Sequence, residues 1–240
     1  MPDLLSAEHL VAVAVIAVAA LAASLLPRRL PARWVKPACR ALAVALVIFE
    51  VSWWVYVAAG NVPGSTLVYS LPLQLCDAAI LVAAVALWTG RRLLIEVTYF
   101  WGLAGSVQAL ITPDLPQHFP SFPYLQYYLA HGGVVVAALF MVSGLGLWPR
   151  RYAAVRVGAV TVAYAAVVGL VDALTGANYM YLHNKPPAPT LLDAMGPWPW
   201  YIGGAALVAV VLLAALEAPF HLLPKPAGDA PAAPASPEAR

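Results

Sequence analysis

Seven apolar stretches divide this chain, and nearly all the positive charge lies in every second gap between them. The stretches are His9–Leu26, Pro37–Ala59, Pro72–Leu87, Leu93–Ile111, Tyr124–Leu147, Tyr152–Leu174 and Trp200–Phe220. A helix needs about 20 residues to cross the hydrocarbon core, and lipid cannot satisfy the polar groups of an open backbone. The pattern predicts an all-α polytopic membrane protein with seven transmembrane helices. The third stretch is short, and Pro72 suits the first position of its helix.

The composition excludes an ordinary soluble domain. Hydrophobic residues make up 62% of the chain, charged residues make up 10%, and the mean hydropathy is +0.80. A soluble domain carries about 25% charged residues. We expect one transmembrane domain over residues 1–223 and a disordered cytoplasmic tail over residues 224–240, where Pro and Ala dominate. No nucleic-acid partner is expected, and the oligomeric state is left open.

The basic residues predict how the bundle is oriented in the membrane. The first, third and fifth gaps hold most of them, namely Arg28, Arg29, Arg33, Lys36, Arg91, Arg92, Arg150 and Arg151. Because Lys and Arg stay on the cytoplasmic side, the N-terminus is predicted outside and the C-terminus inside. An odd number of spans agrees with this, because it puts the two termini on opposite sides of the membrane. The first basic cluster follows the first stretch, so we expect a retained anchor and not a cleaved signal peptide.

The polar residues inside the predicted spans share one depth, the outer third of the membrane. They are Gln74, Cys76, Asp77, Gln108, His131 and Asp172, with Asn178 and Tyr179 in the loop that follows. Ionisable side chains are costly in lipid and normally face the bundle interior or a cavity. We therefore expect one polar site near the outer leaflet. A metal site is not expected, because zinc needs three or four ligands and no span carries an HxxxH or HxxxD pair.

Cys76 allows two interpretations. An unpaired cysteine often serves as a small packing residue. A cysteine near a helix N-terminus and an imidazole can instead form a thiolate and act as a nucleophile. Cys39 is a natural comparison, because it lies at the other end of the membrane beside Arg40, without a polar cluster at its level. The two cysteines are not expected to form a disulfide.

His131 and the acidic residues also keep alternative roles. His131 is either a structural histidine bonded to a carbonyl group or a general base for Cys76. Gly132 and Gly133 follow it, so a neighbouring helix or a ligand can approach closely. Asp77 can orient the histidine, bind a lipid headgroup or be a buried structural carboxylate.

Three further acidic residues lie inside spans. Asp172 keeps the same alternative roles as Asp77. Glu96 is expected to pair with Arg91 or Arg92 at the interface, and the sequence assigns no role to Glu50.

Several motifs in the chain resemble those of a known family. They are Leu71-Pro-Leu-Gln-Leu-Cys-Asp77, Tyr99-Phe-Trp-Gly-Leu-Ala-Gly105, Gln108-Ala-Leu-Ile-Thr-Pro-Asp114, Ala130-His-Gly132, Thr175-Gly-Ala-Asn-Tyr-Met-Tyr181 and Gly196-Pro-Trp-Pro-Trp-Tyr201. With them, residues 40–220 resemble the YwaF-like bacterial integral membrane family. The resemblance implies a multi-pass protein of the bacterial plasma membrane.

The resemblance also implies a chemistry. The bacterial members look like relatives of an animal transmembrane protein that acylates ether phospholipids through a cysteine. More distantly they are similar to androgen-induced membrane hydrolases of fatty esters, which use threonine and histidine. On that basis Cys76 takes the position of the nucleophile and His131 the position of the histidine. A shared fold is an association and not a proof of shared chemistry.

Three functional hypotheses follow. The first is a membrane-embedded lipid acyltransferase or acyl-ester hydrolase. Its partner is a phospholipid or other acyl lipid, its nucleophile is Cys76 and its acid–base group is His131. An oxyanion donor comes from Gln74, Gln108 or Asn178, and no metal or organic cofactor is required. The alternative is a non-enzymatic protein that binds or transports a lipid or small solute, for which the thiol is dispensable. The third hypothesis is a metal-dependent lipid hydrolase.

Overall fold

The long helices of this protein form one bundle. The computed structural model describes residues 6–29, 31–62, 70–186 and 190–222, and the regular structure within these ranges is helical throughout. The long helices there are Ala7–Arg29 (α1), Ala32–Ala58 (α2), Leu75–Thr89 (α3), Arg92–Ile111 (α4), Phe122–Gly144 (α5), Ala153–Thr175 (α6) and Trp200–Leu222 (α7). The predicted tail, residues 224–240, lies outside the described residues.

Six of these helices are long and apolar enough to cross a membrane. The exception is α3, which is apolar but has only 15 residues. At 1.5 Å per residue it rises about 22 Å, less than the roughly 30 Å of a hydrocarbon core. The chain is therefore a multi-pass α-helical membrane protein, as the sequence predicted. The seventh span stays a prediction.

The short helix α3 lies inside the bundle, packed against α2, α4 and α5. Its buried residues point in several directions and include four fully or nearly fully buried alanines, Ala79, Ala83, Ala84 and Ala86. Small residues let neighbouring helices approach closely in a membrane protein. Around this centre, α1 packs on α5, and α6 packs on α4 and α7. The buried residues of α3, from Ala78 to Leu87, are thus enclosed by other helices.

Two glycines bring α5 close to its neighbours next to His131. A Cβ atom on Gly132 would lie 2.7 Å from Cδ1 of Ile16 in α1. A Cβ atom on Gly133 would lie 2.8 Å from Cδ2 of Leu46 in α2. Both distances are shorter than a van der Waals contact, so a side chain at either position would require Ile16 or Leu46 to shift. The close approach of neighbouring helices that the sequence predicted here is confirmed.

A buried carboxylate ties the other end of the bundle together. Glu96 in α4 is 1% exposed, and its oxygens accept hydrogen bonds from Arg150 Nε at 2.9 Å and from Arg156 Nη2 at 3.0 Å. The expectation that Glu96 pairs with Arg91 or Arg92 is wrong. Glu96 faces the bundle interior, where the segment before α6 and the first turn of α6 supply the arginines. The bond to Glu96 raises the pKa of Arg150, so this charge is retained.

Candidate functional site

Cys76 is the second residue of α3. The helix begins at Leu75, and Gln74 is its N-cap residue. The sequence instead predicted a start at Pro72, with Cys76 about one turn further in. The structure therefore moves the thiol to the helix N-terminus, where free N–H groups and the helix dipole favour negative charge. As a whole residue, Cys76 is half-buried, whereas Cys39 is buried.

The late start of α3 has a cause in the chain that follows α6. The backbone N–H of Leu71 donates to the hydroxyl oxygen of Tyr179 at 2.8 Å. The hydroxyl of Tyr164 donates to the carbonyl oxygen of Leu73 at 3.0 Å. These contacts hold the residues before the helix in a turn, so they do not add to it. Burial raises the pKa of Tyr179, so its hydroxyl stays protonated at neutral pH.

Gln74 joins the same loop to the helix start. Its Oε1 atom accepts a hydrogen bond from the backbone N–H of Met180 at 2.8 Å. Met180 and Tyr181 both have φ of 54°, a region that residues other than glycine rarely adopt. This turn directs the Met180 N–H at Gln74. Among the described residues, the side-chain Nε2 of Gln74 makes no hydrogen bond, so its N–H groups are available to a ligand.

Asp77 has a structural partner at the helix start. As the third residue of α3, it presents its carboxylate to the backbone N–H of Gln74. A carboxylate at this position commonly reaches back to the N-cap residue in this way. The interpretation of Asp77 as a structural carboxylate therefore gains a specific contact. The carboxylate also lies close enough to Tyr164 and Tyr179 to act on them electrostatically.

Glu50 is the residue of this site to which the sequence assigned no role. It lies in α2, is 1% exposed, and its Oε1 atom has no hydrogen-bond partner among the described residues. Its carboxyl group is near enough to Asp77 and Cys76 for their charges to interact. The available signal was that Glu50 is the one charged residue between Arg40 and the end of α2. A lone carboxylate inside a span marks a functional site by default.

The hydrogen bond of His131 fixes its tautomer. Its Nδ1 atom lies 2.9 Å from the carbonyl oxygen of Tyr127, one turn earlier in α5. A carbonyl oxygen only accepts, so Nδ1 carries the hydrogen and the neutral ring keeps a lone pair on Nε2. No hydrogen bond within the described ranges involves Nε2. His131 thus has both the structural bond expected of a buried histidine and a free basic nitrogen.

Tyr127 links His131 to the region of the thiol. The rings of His131 and Tyr127 are 4.2 Å apart between centroids. The hydroxyl of Tyr127 donates to the carbonyl oxygen of Ala109 at 2.9 Å and lies within electrostatic range of Cys76. Helix α3 packs directly on α5, but no hydrogen bond among the described residues joins Cys76 to His131, so their pairing stays a prediction. We call Gln74, Cys76, Asp77, Glu50 and His131 the Cys76 site.

Two of the predicted site residues stabilise the outer loop. Asp172 is 2% exposed, accepts a hydrogen bond from the Tyr179 N–H at 2.9 Å, and has its other oxygen 3.7 Å from Nδ1 of His183. The side chain of Asn178 accepts from the N–H groups of His183 and Asn184 and donates to the Asn184 carbonyl at 2.8 Å. Both residues stabilise the loop whose Tyr179 and Met180 contact the start of α3.

Among the described residues, the side chain of Gln108 shares no hydrogen bond with the Cys76 site. Its side chain is exposed near the end of α4 and makes no hydrogen bond to the part of the chain that the structure describes. Its role as an oxyanion donor therefore stays a prediction. Within the described ranges, no three His, Cys, Asp or Glu side chains are grouped as metal ligands.

A comparison with protein families covers most of the chain. The sequence profile of the TMEM164 family matches residues 4–217, from before α1 into the last turns of α7. The chain belongs to the TMEM164 family. The match includes all residues of the Cys76 site, while the narrower resemblance to the YwaF-like bacterial family stays a prediction. No curated protein matches the chain significantly, and no solved structure does so.

Proposed function

We propose that this TMEM164-family protein is a membrane-embedded lipid acyltransferase or acyl-ester hydrolase that works through a thioester on Cys76. The observation that carries the proposal is the tautomer of His131, whose Nδ1–H is held by Tyr127 and whose Nε2 is left as a base. This tautomer supports a pairing of His131 Nε2 with the thiol of Cys76, which lies at the N-terminus of the adjacent helix. A positioned histidine of this kind contributes about 10²–10⁴-fold to a proton transfer.

In the first half-reaction, the proton of the Cys76 thiol passes to Nε2 of His131. The sulfur attacks the carbonyl carbon of the donor ester, and the carbon–oxygen bond to the leaving alcohol breaks. His131 returns the proton to the departing oxygen. The product is an acyl thioester on Cys76, which then passes to a lysolipid or other alcohol, or to water. No metal or organic cofactor takes part.

Two donors near the thiol suit a developing oxyanion. One is the side-chain amide of Gln74, whose Oε1 is held by Met180 so that Nε2 points away from that contact. The other is the backbone N–H of Cys76, which lies in the first helical turn where N–H groups lack intrahelical partners. Removal of one such donor costs about 2.7–4 kcal/mol of transition-state stabilisation in well-studied enzymes.

The substrate class follows from the location of the site. Cys76 lies at the start of α3, and the arginine pair at Arg91 and Arg92 lies just past its other end. With basic residues on the cytoplasmic side, the N-terminus is outside, the C-terminus is inside, and the site faces the outer leaflet. A phospholipid or other acyl lipid of the cell membrane reaches such a site directly. The family resemblance makes that membrane a bacterial plasma membrane.

The experiment that separates catalysis from simple lipid binding uses reconstituted protein. Proteoliposomes receive a phospholipid with a deuterated acyl chain and an unlabelled lysolipid, and mass spectrometry follows transfer or release of the chain. We expect Cys76→Ser to lose the activity and Cys39→Ser to keep it, because only the first removes the nucleophile. A binding protein would behave alike with both variants, and activity retained in Cys76→Ser would refute the proposal.

A further inference from the structure

We propose that Glu50 is a second acid–base residue of the Cys76 site and serves the half-reaction in which the thioester is consumed. This inference rests on the proposed function. It starts from a feature that the mechanism above leaves unused, a buried carboxyl oxygen without a partner. In a bilayer such an oxygen is costly unless it has a task or a ligand.

The position of Glu50 relative to the other helices supports this role. The register of α2 and α5 is marked by the contact of Leu46 with Gly133 and by a hydrogen bond from Gln126 Nε2 to the carbonyl oxygen of Phe49 at 3.4 Å. Glu50 therefore lies about level with the first three turns of α5. Helices α2, α3 and α5 pack against one another in all three pairs. Each helix contributes one residue to the proposal, namely Glu50, Cys76 and His131, and Glu50 lies within electrostatic range of Cys76.

The two carboxylates near the thiol, Asp77 and Glu50, differ in whether an oxygen is left without a hydrogen bond. Asp77 is turned toward the backbone N–H of Gln74 at the start of α3. Glu50 lies close enough to Cys76 for their charges to interact. Its Oε1 atom makes no hydrogen bond within the described chain and is not in contact with solvent. A base must present an unoccupied lone pair to the proton that it accepts. Glu50 meets this requirement through Oε1, while its carboxyl group is also within hydrogen-bonding reach of Trp54.

Two bases on two helices fit the two halves of an acyl transfer. His131 on α5 serves the donor ester, as described above. The acceptor hydroxyl then gives its proton to the Glu50 carboxylate while its oxygen attacks the thioester carbonyl. The carbon–sulfur bond breaks, and the departing sulfur takes the proton from Glu50. The thiol and the carboxylate are both restored, and one ester, or one free acid when the acceptor is water, leaves the site.

The test follows the thioester in purified full-length protein. Wild type, Glu50→Gln and the control Glu217→Gln are acylated with 4-nitrophenyl palmitate in detergent micelles, and intact mass spectrometry then follows the loss of the acyl group. Glu217 is a suitable control because it lies in α7 and accepts a hydrogen bond from the N–H of Ala153, away from the Cys76 site. Glutamine preserves the size of the Glu50 side chain and adds no buried charge.

We expect Glu50→Gln to acquire the acyl group at the wild-type rate and to lose it to water or added lysolipid about 10²-fold more slowly, in the range for a general base. Neutral hydroxylamine should strip the group equally fast from all three proteins, because this nucleophile needs no base. Equal loss to water and lysolipid in wild type and Glu50→Gln would overturn the inference, as would failure of Glu50→Gln to become acylated. If wild type itself forms no Cys76 adduct, the proposed function fails and this inference fails with it.

Discussion

The Nδ1 atom of His131 donates to the carbonyl oxygen of Tyr127 across 2.9 Å, within one turn of α5. The bond orients the ring and reserves Nε2 as its basic atom. If Nε2 serves Cys76, replacing His131 by Ala should slow the reaction of Cys76 with a lipophilic maleimide at neutral pH. We expect about a 10-fold decrease or more, below the full effect of a general base because α3 still contributes its N-terminus.

Cys39 provides the internal control for that measurement. It lies in α2 and is 3% exposed, so its slow labelling should be the same with and without His131. Peptide mass spectrometry reads both cysteines in one sample. An unchanged Cys76 rate in folded His131→Ala protein would rule out the pair as a unit and favour the binding hypothesis.

The sequence predicted the membrane class and the outline of the helices because apolar length alone determines a span. It also predicted the close helix contacts at Gly132 and Gly133, since two glycines in a row leave a gap on any helix surface. Those features depend on local composition. They do not require knowledge of which helix becomes the neighbour.

The sequence did not predict the start of α3, the partners of Glu96 or the position of Glu50 near Cys76. The start of α3 depends on Tyr179, which binds the Leu71 backbone from 108 residues away. Glu50 has no motif, and only the packing of α2 against α3 brings it to Cys76. Long-range contacts of this kind override local preferences and leave little trace in one sequence.

The hydrogen bonds from Arg150 and Arg156 to Glu96 should make a large contribution to the stability of the folded protein. Replacing Arg156 by Gln leaves a carboxylate that is 1% exposed with one arginine fewer. Leaving a buried charge without any partner costs about 3–5 kcal/mol. Because Arg150 still pairs with Glu96, we expect a smaller loss and a measurable fall of the unfolding temperature in detergent. The double variant Glu96→Gln with Arg156→Gln should recover part of the loss, because it removes the buried carboxylate that has lost one of its two arginines. Thermal unfolding of Arg156→Gln at the wild-type temperature would contradict this role.

Two glycines in matching π-helical segments allow a sharp packing test. A Cβ atom on Gly144 would clash with the carbonyl oxygen of Ala23 and lie 2.8 Å from Cγ of Pro27, whereas one on Gly105 would meet nothing within 4 Å. Backbone atoms cannot rotate away, so Gly144→Ala should destabilise the protein by about 1–3 kcal/mol. Gly105→Ala should stay within about 0.5 kcal/mol of wild type. Equal denaturation midpoints for the two variants would show that α1 and α5 do not pack as described.

The orientation in the membrane follows from the arginine clusters. Reporter fusions after Ala59 and Leu174 should report the outer side, and fusions after Leu87 and Leu147 should report the cytoplasm. The fusion after Leu87 is the most informative, because α3 has only 15 residues. An outside signal there would mean that α3 does not cross the bilayer, and two or more reversed fusions would contradict the proposed topology.

The central claim is that Cys76 carries the acyl group, and intact-mass analysis of the purified protein tests it most directly. Protein incubated with 4-nitrophenyl palmitate should gain the mass of one palmitoyl group. Neutral hydroxylamine should remove that group, peptide mapping should assign it to Cys76, and Cys76→Ser should not acquire it. The contradicting result is a Cys76 thiol that stays unmodified while the same preparation transfers or releases acyl chains.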